Sequence, residues 1–387
     1  MHLKPPDQRR RILKCLFREK QASRTQLAEL LALRKGTVGV ICEQLLAART
    51  IEVADENRER NVPLQLNANR FIGLGIDHDV GGLHVSALNA RGELILDKAL
   101  PLPPADSGRV RLRRIVAAVQ TVKQSKGLAD NVVGIGFCDL GMIDPIRGVA
   151  VRAAFLPGWN DMPVQSELAP AIRCPLVLLT KAEAICMADC ASQGGLGKDT
   201  RLYVMLDRGV GVAILRDGVL WRGDSEVCGE LGHVCVVPNG AICACGNRGC
   251  LETVAGSDAI IRTVRAHTSP GDAAEWKFYV ATLTLAQVID LAGRGYGLAQ
   301  LAIREAAEAM GNALAQILMV LGIKNVVCAG SLVQAGALVI NPLEAVLRQR
   351  CLSPLNRQLD VRTNRMEGNF YARGAAFAAL DRHFTKT

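Results

Sequence analysis

The sequence predicts an α/β protein, in which a small helical N-terminal module closed by a β-hairpin precedes a two-lobed body. Three observations predict it. Positive charge is concentrated at the start, since residues 1–70 hold 14 Lys and Arg against 8 Asp and Glu, which is six of the nine net charges. Helical and alternating patterns form one short set up to residue 70 and two longer sets after it, the second resembling the first in order. A Cys- and Gly-rich stretch at residues 229–252 lies within the second of these sets.

At 387 residues and 49% hydrophobic, the chain can bury the cores of two or three domains. No run reaches the roughly 20 apolar residues needed to span a bilayer. Residues 1–11 are polar and basic, unlike a signal peptide. A cytoplasmic protein without membrane insertion is expected. In that setting the 13 cysteines are not a disulfide framework. Cys15, Cys42, Cys186 and Cys328 sit among apolar neighbours and read as small buried hydrophobes.

Residues 7–19 place Ile12, Leu13, Leu16 and Phe17 on one helical face and basic residues on the rest. Ser23 and Gln26 form an S-x-x-Q capping box that opens a second helix, with Leu27, Leu30 and Leu31 at core spacing. A third helix over 35–48 buries Val38, Ile41, Cys42, Leu45 and Leu46. Residues 51–54 and 63–66 alternate as a hairpin around a polar tip. Three helices and a hairpin match a winged helix-turn-helix, expected over residues 1–70, whose third helix enters the major groove of double-stranded DNA. Arg24, Arg34, Lys35 and Thr37, with Arg58 and Arg60 at the wing tip, are the expected DNA contacts. Gly36 and Gly39 inside the third helix each cost about 1 kcal/mol relative to Ala, and Arg34 stands where a Ser or Asp cap is usual.

Body strands are expected at 71–77, 83–88, 94–96, 132–137 and 175–179, and again at 202–206, 212–215, 219–221 and 325–328. Helices are expected at 109–123, 181–192 and 301–321, with a last one from Arg373. The pattern is a duplicated α/β fold with a cleft between lobes. The lobes are expected at 71–180 and 181–387, the last helix returning to the first lobe.

His233, Cys243, Cys245 and Cys250 make a Cys₃His set, a standard complement for one structural zinc ion per chain. Gly246 and Gly249 let the loop curl so that the thiolates converge. All four positions are filled by protein, which leaves no open position for catalysis.

The stretch G-E-L-G-H-x₉-C-x-C-G-x-x-G-C-L-E resembles the signature of the ROK family (repressors, open reading frames, kinases), and the winged helix before it resembles the Mlc/NagC/XylR-type repressor branch. The resemblance covers essentially the whole chain. It implies an actin-like/hexokinase-like ATPase fold for the body. It implies that Glu230, His233 and Glu252 line a sugar pocket, and that His233 faces zinc with one nitrogen and the sugar with the other.

Departures from the family pattern separate its branches. Family kinases carry N-D-A-N-A, whose Asp takes the sugar hydroxyl proton; here the residues are Thr180, Lys181, Ala182, Glu183 and Ala184. Lys181 cannot be that carboxylate base, and Glu183 is a substitute carboxylate two residues away. The phosphate loop D-x-G-G-T reads Asp77, His78, Asp79, Val80, Gly81, so that Asp79 repels a phosphate where a backbone nest receives it. The second loop keeps Gly209 and Gly211 only. Phe155 stands where an Asn commonly precedes L-P-G-W, and Arg60, Asn61, Val62 and Pro63 replace the wing's usual Gly-Arg-Pro. The expected protein is a non-enzymatic, DNA-binding regulator of sugar metabolism or transport genes, a repressor in type. It binds a palindromic operator as a dimer or tetramer and answers to a sugar, a sugar phosphate or a protein partner. Two alternatives stand beside it, a sugar kinase with an added DNA-binding module and a protein-interaction regulator without a small effector.

Overall fold

A computed structural model describes residues 5–55, 61–104, 106–125, 128, 130–153, 156–225, 228–365 and 368–385. The chain divides into two compact units, one of residues up to Gly197 together with Asn369 onward, the other Lys198–Gly368.

The N-terminal elements are α1 (Pro5–Glu19), β1 (Ala22–Ser23), α2 (Arg24–Leu31), α3 (Lys35–Ala47), β2 (Ile51–Val53) and β3 (Pro63–Leu66). The Ser23 hydroxyl accepts from Gln26 N and the Gln26 side chain accepts from Ser23 N, so the capping box opens α2 as the sequence requires. Where a two-stranded hairpin is expected there is a three-stranded antiparallel sheet, because Ala22 and Ser23 pair with Leu64 and Pro63. Ile12, Leu16, Phe17, Leu27, Val38 and Cys42 are buried.

The body of the first unit continues with β4 (Ile72–His78), β5 (Gly82–Asn89), β6 (Leu94–Pro101), α4 (Gly108–Lys123) and β7 (Val132–Asp139). A small antiparallel sheet follows, β8 (Met142–Asp144), β9 (Val149–Arg152) and β10 (Asn160–Met162), then α5 (Val164–Ile172), β11 (Leu176–Thr180) and α6 (Lys181–Ser192). The main sheet has the order β11-β7-β4-β5-β6, with β11, β7 and β4 parallel and β4-β5-β6 an antiparallel meander.

The second unit holds β12 (Arg201–Leu206), β13 (Val210–Arg216), β14 (Val219–Trp221), α7 (Glu252–Ala255), α8 (Ser257–His267), α9 (Pro270–Glu275), α10 (Leu285–Gly293), α11 (Gly297–Leu321), β15 (Asn325–Ala329), α12 (Ala337–Arg350), α13 (Ser353–Asn356) and β16 (Asp360–Asn364). Its sheet, β14-β13-β12-β15-β16, repeats the first: an antiparallel meander, then two parallel strands added on the β12 side. The duplication read from the sequence is thus a duplication of strand order. Each sheet buries its own apolar cluster, around Leu74, Ile115, Ile135 and Phe137 in the first unit and around Val204, Ile303, Leu314 and Val326 in the second.

The chain ends with α14 (Phe370–Thr385), which packs on β4, β7 and α6 of the first unit. It lies so close to the sheet that a Cβ added at Gly75 would fall 1.8 Å from Ala372 O, and one at Gly136 1.9 Å from Ala375 O. The expected boundary at 180/181 needs correction. Thr180 ends β11 and caps α6 directly, and α6 packs against α14, so the first unit runs on to Gly197. Residues 1–70 lie within that same unit.

Asp97 on β6 anchors the start of α14. Its carboxylate accepts from Asn369 Nδ2 at 2.6 Å, Arg373 Nη2 at 2.8 Å and Ser86 Oγ at 2.9 Å. Burial alone would raise this carboxyl, but the hydrogen bonds from Arg373, Asn369 and Ser86 outweigh it and hold it below its ordinary value. A depressed carboxyl stabilises the fold above the unfolded value, near pH 4, and that stability is lost as pH falls through the folded value. Asp97→Asn is expected to cost about 2 kcal/mol at pH 7 and to flatten the acid limb of stability. Urea melts at pH 7 and below pH 4 measure both, and an unchanged acid limb would contradict the assignment.

Candidate metal centre

The segment after β14 is held by turns rather than strands. Val212 N on β13 donates to Gly229 O at 2.8 Å, and Leu231–His233 forms a single 3₁₀ turn. Two isolated bridges, Cys235 with Cys250 and Ile242 with Arg248, fold residues 235–250 back on themselves. Within this loop Cys243 N donates to Asn247 O at 2.8 Å and Gly246 N to Cys243 O at 2.9 Å. Gly246 and Gly249 have φ of +99° and +70°, and a Cβ at Gly249 would fall 1.7 Å from Val237 O. Any L side chain there would break the turn.

This loop brings His233, Cys243, Cys245 and Cys250 together, with one ligand atom from each lying within 4.8 Å of the others. Cys243 Sγ is 3.5 Å from His233 Nδ1, and Cys245 Sγ is 3.7 Å from Cys250 Sγ. A tetrahedral zinc ion with bonds of about 2.3 Å to sulfur and about 2.0 Å to nitrogen needs ligand edges of roughly 3.5–3.8 Å. The donor set and its spacing therefore fit such an ion. Burial, followed by the neighbouring thiols Cys245 and Cys243, pushes the Cys250 thiol up to about 12. A divalent cation reverses that preference by binding the thiolates.

Glu230 and Glu252 flank the centre. Glu230 Oε2 lies 3.7 Å from His233 Nε2, so the ring's other nitrogen, not the one beside Cys243, faces this carboxylate. A carboxylate in that place orients the ring of a metal-binding His. Glu252 begins α7, and its Oε2 is 2.9 Å from where a Cβ at Gly209 would stand, so Gly209 makes room for it. Burial, with Asp258 adding to it and Arg208 opposing, pushes the Glu252 carboxyl up to about 7.

The charged side chains of the altered motifs at the strand ends of the first unit are engaged within the unit. The Lys181 ammonium pairs with Asp77 and lies 4.2 Å from the centroid of the Tyr371 ring. Burial alone would lower this ammonium, but Asp77, with Cys138 and Asp79 adding to it, raises it on balance. Glu183, the expected substitute carboxylate, is engaged elsewhere: its Oε2 accepts from Thr180 N at 3.0 Å while Thr180 Oγ1 accepts from Glu183 N, which closes a capping box on α6. Asp79 Oδ1 accepts from Gly81 N at 2.9 Å and Gly82 N at 2.7 Å. The carboxylate thus takes for itself the loop donors that an anion would use. Beside them, buried Asp139 accepts from Trp159 Nε1 at 2.8 Å and Gly141 N at 2.9 Å, and its Oδ2 is 3.2 Å from His78 Nε2.

The residues expected at DNA are spread over α2 and α3. Arg34 caps α3 without a side-chain hydrogen bond and is exposed, as is Lys35; Thr37 is half-buried. Arg24 donates to Glu43 Oε1 on α3 at 2.6 Å, and Gln44 accepts from Arg9 at 2.9 Å. A Cβ at Gly36 or Gly39 would meet nothing within 4 Å, so these glycines leave an open patch on α3 beside exposed Val40. Arg58, Arg60 and Phe155 lie outside the described residues.

Sequence reasoning missed Arg111. Its guanidinium is fully buried and clamps the β4–β5 turn through Asp79 O and Val80 O, the latter at 3.1 Å. The available signal was its position, since Arg111 occupies an apolar place in the stripe of Leu112, Ile115, Val119 and Val122.

A duplicated meander-plus-parallel sheet carrying an inserted Cys₃His loop defines the class of this protein as an actin-like α/β fold with mixed sheets. The ROK family model matches residues 74–382, and the chain belongs to the ROK family. It is similar to the xylose repressor of Caldicellulosiruptor bescii, 26% identical over 347 residues, covering 88% of this chain and 86% of the relative. It is also similar to the glucokinase of Halalkalibacterium halodurans, 28% identical over 276 residues, covering 69% of this chain and 82% of the relative. Among solved structures it resembles a ROK family transcriptional regulator, a homologue of the E. coli MLC protein, with a TM-score of 0.81 and 22% identity over 98% of this chain and 97% of that one. No helix among the described residues is long and apolar enough to cross a membrane.

Proposed function

We propose that the chain is a DNA-binding transcriptional regulator, a repressor of sugar-metabolism or transport genes that works in the cytoplasm. In this proposal α1–α3 and β1–β3 form a winged helix-turn-helix, and α3 enters the major groove with Arg34, Lys35 and Thr37 leading. Arg24, Arg58 and Arg60 contact the backbone around it. The chain binds a palindromic operator as a homodimer or tetramer, since two-fold operators match two-fold proteins. His233, Cys243, Cys245 and Cys250 hold one structural zinc ion, which stiffens the loop carrying Glu230 and Glu252. Those carboxylates, with His233, bind the hydroxyls of a sugar or sugar phosphate; a protein partner acting on the body is the other form of control.

One observation carries the proposal: a helical module with an uncapped, basic helix start precedes a body whose phosphate-loop Asp77 is neutralised by Lys181. The likeness to a xylose repressor and to a ROK regulator over nearly the whole chain supports it, and it makes xylose the first effector to try. The glucokinase likeness keeps a kinase in view, but Glu183, the substitute carboxylate for its catalytic base, is held in a capping box.

Selection of genomic fragments at moderate salt tests the proposal and is expected to enrich one inverted repeat. Arg34→Ala and Lys35→Ala should each weaken binding and reduce the salt slope by about 1. No enriched sequence, or turnover in a coupled ATP assay with hexoses, would sink it.

A further inference from the structure

The N-terminal module is bolted to the body and does not hang on a tether. Phe17 of α1 lies between two rings of α14, with centroids 5.5 Å from Phe377 and 4.7 Å from Phe384 and interplanar angles of 28° and 26°. The Lys20 ammonium sits over Phe17 and Phe377, at 5.2 and 5.5 Å from their centroids. Phe71, the residue before β4, meets Phe384 edge-on at 5.0 Å. A second tie runs from the module's sheet, where Glu52 on β2 pairs with Arg91 in the β5–β6 turn and accepts from Gln65 at 3.1 Å.

The partner helix is itself closely packed. Gly75 and Gly136 admit α14 at backbone contact with the sheet, and Asp97 holds its first turn. The connection between β3 and β4 offers no slack either: only residues 67–71 separate them, with a 3₁₀ turn at Ala68–Arg70 and Phe71 buried. Two anchors on separate elements fix an orientation, whereas one would allow rotation about it.

We propose that Phe17, Phe377 and Phe384, with the Glu52–Arg91 pair, are positioning residues that set the orientation of α3. They thereby set the single half-site spacing that an oligomer of this chain accepts on double-stranded DNA. This rests on the proposed DNA-binding function. Two-fold proteins read half-sites at the distance their recognition helices are held apart. A docked module transmits that distance from the body to the DNA, and a tethered one blurs it.

The experiment compares the full-length chain with Phe17→Ala and with the double variant Glu52→Gln, Arg91→Ala, which leaves the core untouched. The probe is double-stranded DNA with two half-sites separated by randomised spacing. The wild type should enrich one spacing. Both variants should keep the half-site sequence, accept spacings spread over several base pairs, and bind the preferred spacing at least tenfold more weakly. A variant that stays folded by circular dichroism and keeps the single spacing overturns the proposal, as does a wild type that accepts many spacings.

Hydrogen exchange supplies a readout that does not need DNA. In the double variant the amides of α1–α3 should exchange faster as a block while β4 and β7 stay unchanged; equal protection of α1–α3 overturns the docking. A wild type that enriches no sequence at all, with that block loosened as expected, would sink the DNA-binding proposal and leave the docking intact.

Discussion

A chain carrying Cys250→Ser is expected to bind no zinc and to melt about 10 °C below the wild type, corresponding to a loss of roughly 3–5 kcal/mol. The reason lies in how little else orders residues 229–252. Apart from two isolated bridges and a few turns, this loop has no ladder, and its tip exposes Ile242. Cys250 is fully buried and Cys243 nearly so, which makes them the ligands whose removal the loop can least absorb. The damage should stay within the second unit, because the ligands all belong to it. A chelator should therefore reproduce the Cys250→Ser effect on the body while leaving the exchange protection of α1–α3 unchanged. Effector response should also disappear, since Glu230 and Glu252 are carried on the same loop. Zinc content measured by elemental analysis, together with paired melting curves, tests the prediction. A metal-free chain with unchanged melting would show that the cysteines pack as plain hydrophobes.

The features legible in the sequence are those written in local spacing. C-x-C-x₄-C with an upstream His is readable because the four ligands lie within 18 residues of one another, and turn glycines between them announce the curl. The Ser23–Gln26 capping box and the two strand meanders are local in the same way. Three-residue strands such as β8 and β10 carry too little period to be seen. Helix α11 starts at Gly297, four residues before the expected 301, because glycine there masks the helical stripe. What escaped was long-range pairing. Lys181 and Asp77 are 104 positions apart and meet only because the sheet order sets β11 two strands from β4, with β7 between them. Glu183 shows a different kind of miss. T-x-x-E is a capping-box pattern, but a kinase motif at the same place drew it toward the role of a catalytic carboxylate.

Removing the Lys181 charge should destabilise the first unit strongly. Lys181→Met keeps the stem but leaves Asp77 almost fully buried without its partner, and an uncompensated buried charge of this kind costs about 3–5 kcal/mol. Both carboxylates nearby make matters worse, because Asp139 is fully buried and Asp79 lies at the adjoining turn. The loss should be present at neutral pH. A Lys raised above its ordinary value contributes stability that is complete below the unfolded value, near pH 10, and fades only as pH rises through the folded value. Removing both partners, as Lys181→Met with Asp77→Leu, should be milder than Lys181→Met alone, since the pair's desolvation disappears with its attraction. Urea melts of the two single variants and the double variant measure this cycle, and a single-variant cost below about 0.5 kcal/mol would mean the pair is solvated. The same position separates a regulator from a latent enzyme. Lys181→Asp puts a carboxylate back in the motif, yet it should show no ATP-dependent sugar phosphorylation, because the Asp79 carboxylate still occupies Gly81 N and Gly82 N. Phosphorylation by Lys181→Asp would show instead that a single substitution silenced this body, and that its phosphate loop remained open.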